Sequence, residues 1–150
     1  WLAVKWAREL RLTYILMTKI KSIAIIDDDP ITVFGIKRML STLNVSKNIK
    51  SYVNGKEAID DFKSIMNFNE EIPEVIFLDI NMPIMDGWQF LEEFITLPIT
   101  HKIRINILTS SIDPADRENW KYYMTKTHHI IDYKNKPIQK KEIEEITRAA

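Results

Sequence analysis

Short runs of consecutive apolar residues take turns along this chain with longer stretches in which apolar residues return every three or four positions. Ile23-Ala24-Ile25-Ile26 and Val75-Ile76-Phe77-Leu78 are apolar throughout, the pattern of strands covered on both faces. Ile49 to Val53 is more polar and reads as an edge strand. Ile103 to Leu108 reads as a fourth strand, although Arg104 and Asn106 make it more amphipathic than a central strand should be. His129 to Tyr133 is the fifth. Between these runs the period changes to that of a helix. Val33, Ile36, Leu40 and Leu43 mark one helix face behind a capping Asp29 and Pro30. Asn54, with Glu57 three positions on, opens a second helix striped by Ala58, Phe62 and Ile65. Trp88, Leu91 and Ile95, with Phe90 and Phe94 beside them, form a short third helix ended by Pro98. Asp113-Pro114 opens a fourth, carrying Trp120 and Tyr123. Pro137 to Ala150 is the last, with Ile143 and Ile146 inward and Glu144-Glu145 outward.

Five strands alternating with five helices predict an α/β fold: a doubly wound parallel sheet with helices on both faces, in three layers. Ligands of such sheets sit beyond the carboxyl ends of the strands, where strand order reverses. Four polar features lie at those ends, in order: Asp27-Asp28-Asp29-Pro30, Asp79 through Asp86-Gly87, Thr109-Ser110-Ser111, and Tyr133-Lys134-Asn135-Lys136-Pro137.

The opening segment differs. Trp6, Leu10, Tyr14 and Met17 fall at helical spacing among Lys5, Arg8, Arg11, Lys19 and Lys21. Residues 1–20 are expected to be an N-terminal extension, of which 1–16 lie upstream of a natural start at Met17 or are a cloning remnant, and residues 21–150 the domain. The sharper alternative is a helix that docks on the domain or on a second copy, giving a homodimer.

Composition narrows the function. Lys+Arg and Asp+Glu balance at 21 each in 150 residues, so no basic field exists to hold nucleic acid. Cysteine is absent, which removes disulfides and thiolate metal sites. No apolar run approaches the ~20 residues of a membrane span, and charges at Lys5, Arg8, Glu9 and Arg11 interrupt any secretory signal. A cytoplasmic protein is expected, with neither nucleic acid nor membrane as partner.

Asp27, Asp28 and Asp79 would converge on one small volume. Like charges that close raise one another's pKa and cost stability unless a cation relieves them. Hard oxygen donors without Cys or His point to Mg²⁺ over Zn²⁺. Asp79 closes an apolar strand, so it is the acid best held to act as a nucleophile on phosphorus. Lys136 would supply a point charge to the transferring group, and Thr109 a hydroxyl that bonds only once that group has arrived. Taken singly these are weak signals: Asp29 reads as a helix cap, Asp86-Gly87 as a turn, Lys136-Pro137 as a loop. Their joint order at strand ends is what gives them weight.

Ile26-Asp27-Asp28-Asp29-Pro30, Leu78-Asp79 through Asp86-Gly87, Leu108-Thr109-Ser110 and Lys136-Pro137 together resemble a response-regulator receiver domain, the phosphoacceptor half of two-component signalling, over about Lys21 to Ala149. The resemblance implies a flavodoxin-like sheet of order 2-1-3-4-5. It implies phosphorylation of Asp79 by a histidine kinase or histidine phosphotransfer protein. It implies Mg²⁺ held by Asp28, Asp79 and the backbone carbonyl of Asn81, with Asp27 acting through water. Lys136, Thr109 and the backbone of Ser110 would meet the phosphoryl oxygens, Tyr133 would be a rotameric switch, and the Lys136–Pro137 bond would be cis. Such a domain is no enzyme beyond its own phosphorylation and dephosphorylation. The His128-His129 pair departs from the small-residue turn usual there. Movement of Thr109 toward a phosphoryl group would let Tyr133 turn inward. The fourth helix, fifth strand and fifth helix of the alternating pattern would then present a changed face to a downstream protein.

Two alternatives stand beside this. Asp27-Asp28-Asp29-Pro30-Ile31-Thr32 faintly resembles the start of haloacid-dehalogenase phosphatases, with Asp27 as nucleophile and Asp29 as acid. A binding scaffold of the same fold that is never phosphorylated is the other.

Overall fold

The computed structural model describes residues 1–18, 20–68, 70 and 72–149; the side chains of 12–18 lie outside that description. The side chains of Tyr14 and Met17, and the whole of Lys19 and Ala150, all named in the sequence reading, therefore fall outside it.

The apolar runs become strands: β1 (Ile23–Ile26) and β3 (Val75–Asp79) have every residue buried. β2 (Ile49–Tyr52), β4 (Arg104–Thr109) and β5 (Ile130–Asn135) complete a parallel sheet of order β2-β1-β3-β4-β5, with β2 at an edge. The helices are α1 (Leu2–Thr18), α2 (Pro30–Leu43), α3 (Gly55–Asn67), α4 (Gly87–Phe94), α5 (Pro114–Met124) and α6 (Lys140–Ala149). Five of them alternate with the strands as expected, and α1 is the sixth, ahead of the sheet. Asp29, Asn54, Asp86 and Asp113 each cap a helix by accepting a hydrogen bond from a backbone N–H of its first turn.

Alternation along each strand sends side chains to opposite faces. Ala24, Ile26, Ile76, Leu78, Ile105 and Ile107 pack with α3, α4 and Tyr123 of α5. Ile23, Ile25, Val75, Phe77 and Leu108 pack with Ile36 and Leu40 of α2 and Ile143 and Ile146 of α6. Strand boundaries shift by one or two residues from the sequence reading: β2 ends at Tyr52, and β4 runs from Arg104 to Thr109. The last helix begins at Lys140 rather than Pro137, and β5 runs on to Asn135, because Thr109 of β4 pairs with it. The polar residues of β4 are partly engaged, although Arg104 Nε and Asn106 Oδ1 are buried without a hydrogen-bond partner among the described residues. Arg104 Nη1 meets Asp132 Oδ2 at 2.7 Å on the neighbouring strand, and buried Asn106 donates to the Ile76 carbonyl at 3.4 Å. No described helix is long and apolar enough to cross a membrane.

His129 is buried just before β5. Its Nδ1 accepts from the Ile103 N–H at 3.0 Å and its ring lies 5.3 Å from that of Phe94. Burial, and then the nearby His128 and His101, hold its pKa down at about 4. In the unfolded chain a histidine titrates near 6.5. Stability from His129 is thus complete above about pH 6.5 and lost as pH falls toward 4, by about 3 kcal/mol at most. Urea unfolding at pH 7 and pH 5 is expected to show this loss, and His129→Asn to lessen it. Equal pH slopes for the two proteins would refute the assignment.

Candidate functional site

Strand register builds the site. Ile26 pairs with Leu78, so Asp27 and Asp79 stand side by side one residue further on. Asp79 pairs with Leu108, and Thr109 with Asn135, so Thr109 and Lys136 complete the same rim. β1 and β3 flank the point where strand order reverses, which is where the acids meet.

Asp27 is buried. Its N–H donates to the Tyr52 carbonyl at 3.0 Å, its Oδ1 accepts from the Asp29 N–H at 2.9 Å, and its Oδ2 lies 2.8 Å from Lys136 Nζ. Asp79, only 6% exposed, accepts at Oδ1 from the Ile80 N–H at 2.9 Å and lies 3.3 Å from the same Nζ. Asp28 is exposed at the mouth, as is Asn81. Carboxylate oxygens of Asp27, Asp28 and Asp79 all lie within 4.8 Å of one another. Burial, then the charge of Asp27, pushes the Asp79 carboxyl up to about 6, against the opposing pull of Lys136 and the Ile80 N–H. Burial alone would lower the Lys136 ammonium, but hydrogen bonds and charge from Asp27 and Asp79 outweigh it and raise it.

The other residues named from sequence fall around this pair. Thr109 is fully buried and its Oγ1 accepts from the Ser111 N–H at 3.0 Å. An accepting hydroxyl still has its proton to give. Ser110 is exposed beside it. Tyr133 pairs with Ile107 and so shares a sheet face with Thr109. The Lys136–Pro137 peptide is cis. Asp29 faces away from the acids: Ile31 N–H and Thr32 Oγ1 donate to its two oxygens at 3.1 and 2.7 Å, and these bonds lower its pKa. A carboxyl so engaged is poorly placed to serve as the acid of a phosphatase.

Sequence reasoning missed the wall beside the site. Trp88 Nε1 donates to Asp116 Oδ1 at 2.9 Å, tying α4 to α5, and the Trp88 ring stacks on Tyr123. Tyr133 lies between the Trp120 ring, 5.6 Å away, and the Arg117 guanidinium, 5.2 Å away. Only the aromatic crowding of α5 hinted at these contacts. The Asp86-Gly87 pair also does more than turn the chain. Asp86 forms a capping box with Gln89, and the Gly87 N–H donates to the Ile80 carbonyl at 2.8 Å. A Cβ at residue 87 would press into the Asp79 carbonyl oxygen and fall 2.9 Å from the Ile80 Cα. Both are backbone atoms that cannot swing aside. Gly87→Ala is expected to cost about 1–3 kcal/mol in urea unfolding and to shift the segment that carries Asp79. Wild-type stability in that variant would show the approach to be looser than drawn.

Comparison with known proteins follows the same outline. Protein-glutamate methylesterase/protein-glutamine glutaminase of Methanococcoides burtonii is 40% identical over 63 residues, which are 42% of this chain and 16% of that protein. The match thus takes in a small part of the curated relative. A two component response regulator from Cytophaga hutchinsonii superposes with a TM-score of 0.71 at 27% identity, over 85% of this chain and 94% of that one. The receiver domain of a sensor histidine kinase from Pseudomonas aeruginosa, with magnesium ion coordinated in its active site cleft, gives a TM-score of 0.66 at 22% identity, over 86% and 95%. The response regulator receiver domain family itself matches from residue 23 to residue 148. That span begins with β1 and reaches the last turn of α6, so every strand of the sheet is inside it, and the chain belongs to the family of response regulator receiver domains.

Proposed function

We propose that Asp79 accepts a phosphoryl group from a phosphohistidine on a histidine kinase or histidine phosphotransfer protein. The observation that carries this is Lys136 Nζ, 2.8 Å from Asp27 and 3.3 Å from Asp79, at a rim where three carboxylates lie within 4.8 Å. An Asp79 carboxylate oxygen forms the new bond to phosphorus, the bond from phosphorus to the donor nitrogen breaks, and the imidazole leaves with that electron pair. The loosely bonded group needs position and neutralised charge more than covalent help.

Crowded oxygen donors without thiol or imidazole fit a hard divalent ion, which would offset both the burial and, after it, the Asp27 charge that raise the pKa of Asp79. Asp28, Asp79 and the Asn81 carbonyl would hold Mg²⁺, with Asp27 through water; its chemistry is to neutralise charge on the phosphoryl oxygens. Lys136 shifts from the Asp79 carboxylate to a phosphoryl oxygen. Thr109 donates its free hydroxyl proton to another, with the Ser110 backbone beside it. The fold binds its acceptor rigidly: β3 is buried along its whole length.

Departure of Thr109 toward the phosphoryl group opens space on the sheet face it shares with Tyr133, which can then turn inward. Tyr133 must leave Trp120 and Arg117 to do so, and that changes the face formed by α5, β5 and α6, where a downstream protein binds. Moving such an equilibrium from mostly off to mostly on takes about 5.5 kcal/mol of differential stabilisation. The opening segment, residues 1–20, stands as an extension ahead of the receiver at 21–150.

Intact mass after treatment with acetyl phosphate tests the reading. One phosphoryl adduct that requires Mg²⁺ is expected. No adduct would leave the fold as a scaffold, and an adduct indifferent to Mg²⁺ would remove the metal from the reading.

A further inference from the structure

The strands of a parallel sheet all start at one end, and here that end lies away from Asp79. Strand register gathers side chains there that are far apart in sequence. Arg104 opens β4, pairs with Val75 of β3 and with Ile130 of β5, and its N–H donates to the Glu74 carbonyl at 3.0 Å. At this crossing lies a cavity of about 390 Å³, within the size range of small-ligand sites. Lys21, Lys102 and Arg104 line it, with Glu74 as the one carboxylate of its described lining and Ile72 and Ile130 as an apolar wall. Five residues of extended chain, roughly 16 Å, separate Glu74 from Asp79.

The fold leaves cationic capacity unused at this cavity. Lys102 is exposed and makes no ion pair among the described residues. Arg104 gives one end of its guanidinium to Asp132, Nη1 to Oδ2 at 2.7 Å, and this bond holds the plane in place. Its Nε is buried and has no hydrogen-bond partner among the described residues. A charged donor left in that state costs stability, and an acceptor brought up beside the guanidinium relieves the cost. A guanidinium edge matches two oxygens of one phosphate, and an ammonium adds a point charge to a third. Glu74 limits the charge that the cavity tolerates: one phosphoryl group is balanced by the cations, whereas a polyphosphate meets the carboxylate as a repulsion. Ile130 is 39% exposed, an apolar face set beside these charges that an organic group can cover.

We propose that this cavity binds a small phosphomonoester, its phosphate against Lys102 and Arg104 and its apolar body against Ile72 and Ile130. Lys21 adds to the positive field around the phosphate. The ligand is bound and not consumed: no bond of it is broken, and its phosphorus stays at the far end of β3 from the acids. The inference is independent of phosphorylation at Asp79.

Isothermal titration of the full chain with phenyl phosphate tests it, in chelator so that no metal draws phosphate to the Asp79 rim. One-to-one binding is expected, about tenfold or more tighter than that of inorganic phosphate, since only the ester carries a ring to cover the apolar wall. Lys102→Glu should leave the urea midpoint unchanged and weaken binding about tenfold or more. Ile130→Ser should weaken the binding of phenyl phosphate and leave that of inorganic phosphate as it is. Backbone amide resonances should shift on titration at Glu74, Lys102, Arg104 and Ile130, while those of Asp79 and Thr109 stay in place. No binding, binding indifferent to Lys102→Glu, or shifts centred on Asp79 and Thr109 would each overturn the proposal. So would phenyl phosphate bound no more tightly than inorganic phosphate, which would mark an adventitious ion only.

Discussion

Asp79→Asn is expected to abolish phosphoryl uptake and, in metal-free buffer at neutral pH, to make the protein more stable. Both results come from one cause. The native carboxylate is held at the end of β3 with Asp27 alongside, and burial followed by that charge raises its pKa from an ordinary 3.8 to about 6. A carboxyl whose folded pKa is raised contributes most below its unfolded value. Its stabilisation drains away as pH rises from about 4 to 6, and above that the ionised group costs about 3 kcal/mol at most. Asparagine keeps the shape and removes the charge, at the expense of one of the two contacts made by Lys136. Urea unfolding in chelator should therefore favour Asp79→Asn by about 1–3 kcal/mol at pH 7.5 and show little difference near pH 4. Mg²⁺ should raise the stability of the native chain more than that of the variant, since only the native chain offers the full acid set. A variant less stable than the native chain at pH 7.5, or one that still gains a phosphoryl group, would remove Asp79 from the role.

What was legible in the sequence was local. The apolar runs of β1 and β3, and the caps at Asp29, Asn54 and Asp113, declare themselves within a few residues, because strand burial and helix-end hydrogen bonds are short-range matters. Sites at strand ends were legible for the same reason: Asp79 and Lys136 follow strands, and parallel pairing levels those ends. Strand order was not written in any local pattern; it came with the family resemblance, and the register bears it out. Arg104 and Asn106 looked wrong for a central strand because their partners are remote: Asp132, which accepts from Arg104, lies 28 residues on, and Ile76, whose carbonyl accepts from Asn106, lies 30 residues back. The clasp of Tyr133 by Arg117 and Trp120 was invisible for the same cause, being made between elements. Gly87 read as a turn residue, since nothing in sequence tells that the Asp79 backbone would pass against it.

Lys136→Met should produce the largest loss of stability among changes at the site, and the loss should be conditional. The ammonium reaches in from the end of β5 to touch Asp27 at 2.8 Å and Asp79 at 3.3 Å, with its side chain 17% exposed. Methionine fills the space of the stem but leaves two buried acids facing each other. Removing one member of a buried ion cluster costs about 3–5 kcal/mol, because the remaining charge is left without its partner. The cost depends on ionisation. Without the cation the Asp79 pKa climbs further, so the deficit in chelator should be small near pH 4 and grow through neutral pH. Mg²⁺ should recover part of it, and so should adding Asp79→Asn, which removes one of the two charges; contacting residues of this kind do not add independently. Lys136→Arg separates charge from shape. It keeps a cation near the acids, so stability should fall less than in Lys136→Met, yet its planar fork cannot occupy the position of a point charge on the phosphoryl oxygens. Phosphoryl uptake should slow on the order of a hundredfold in both variants, the scale set by losing one aimed charge from a buried reacting centre. If Lys136→Met unfolded at the native urea midpoint at pH 7.5 in chelator, the lysine would not be holding the acids together. If Lys136→Arg took up phosphoryl at the native rate, any nearby positive charge would serve, and the position of this ammonium between Asp27 and Asp79 would carry no mechanistic meaning.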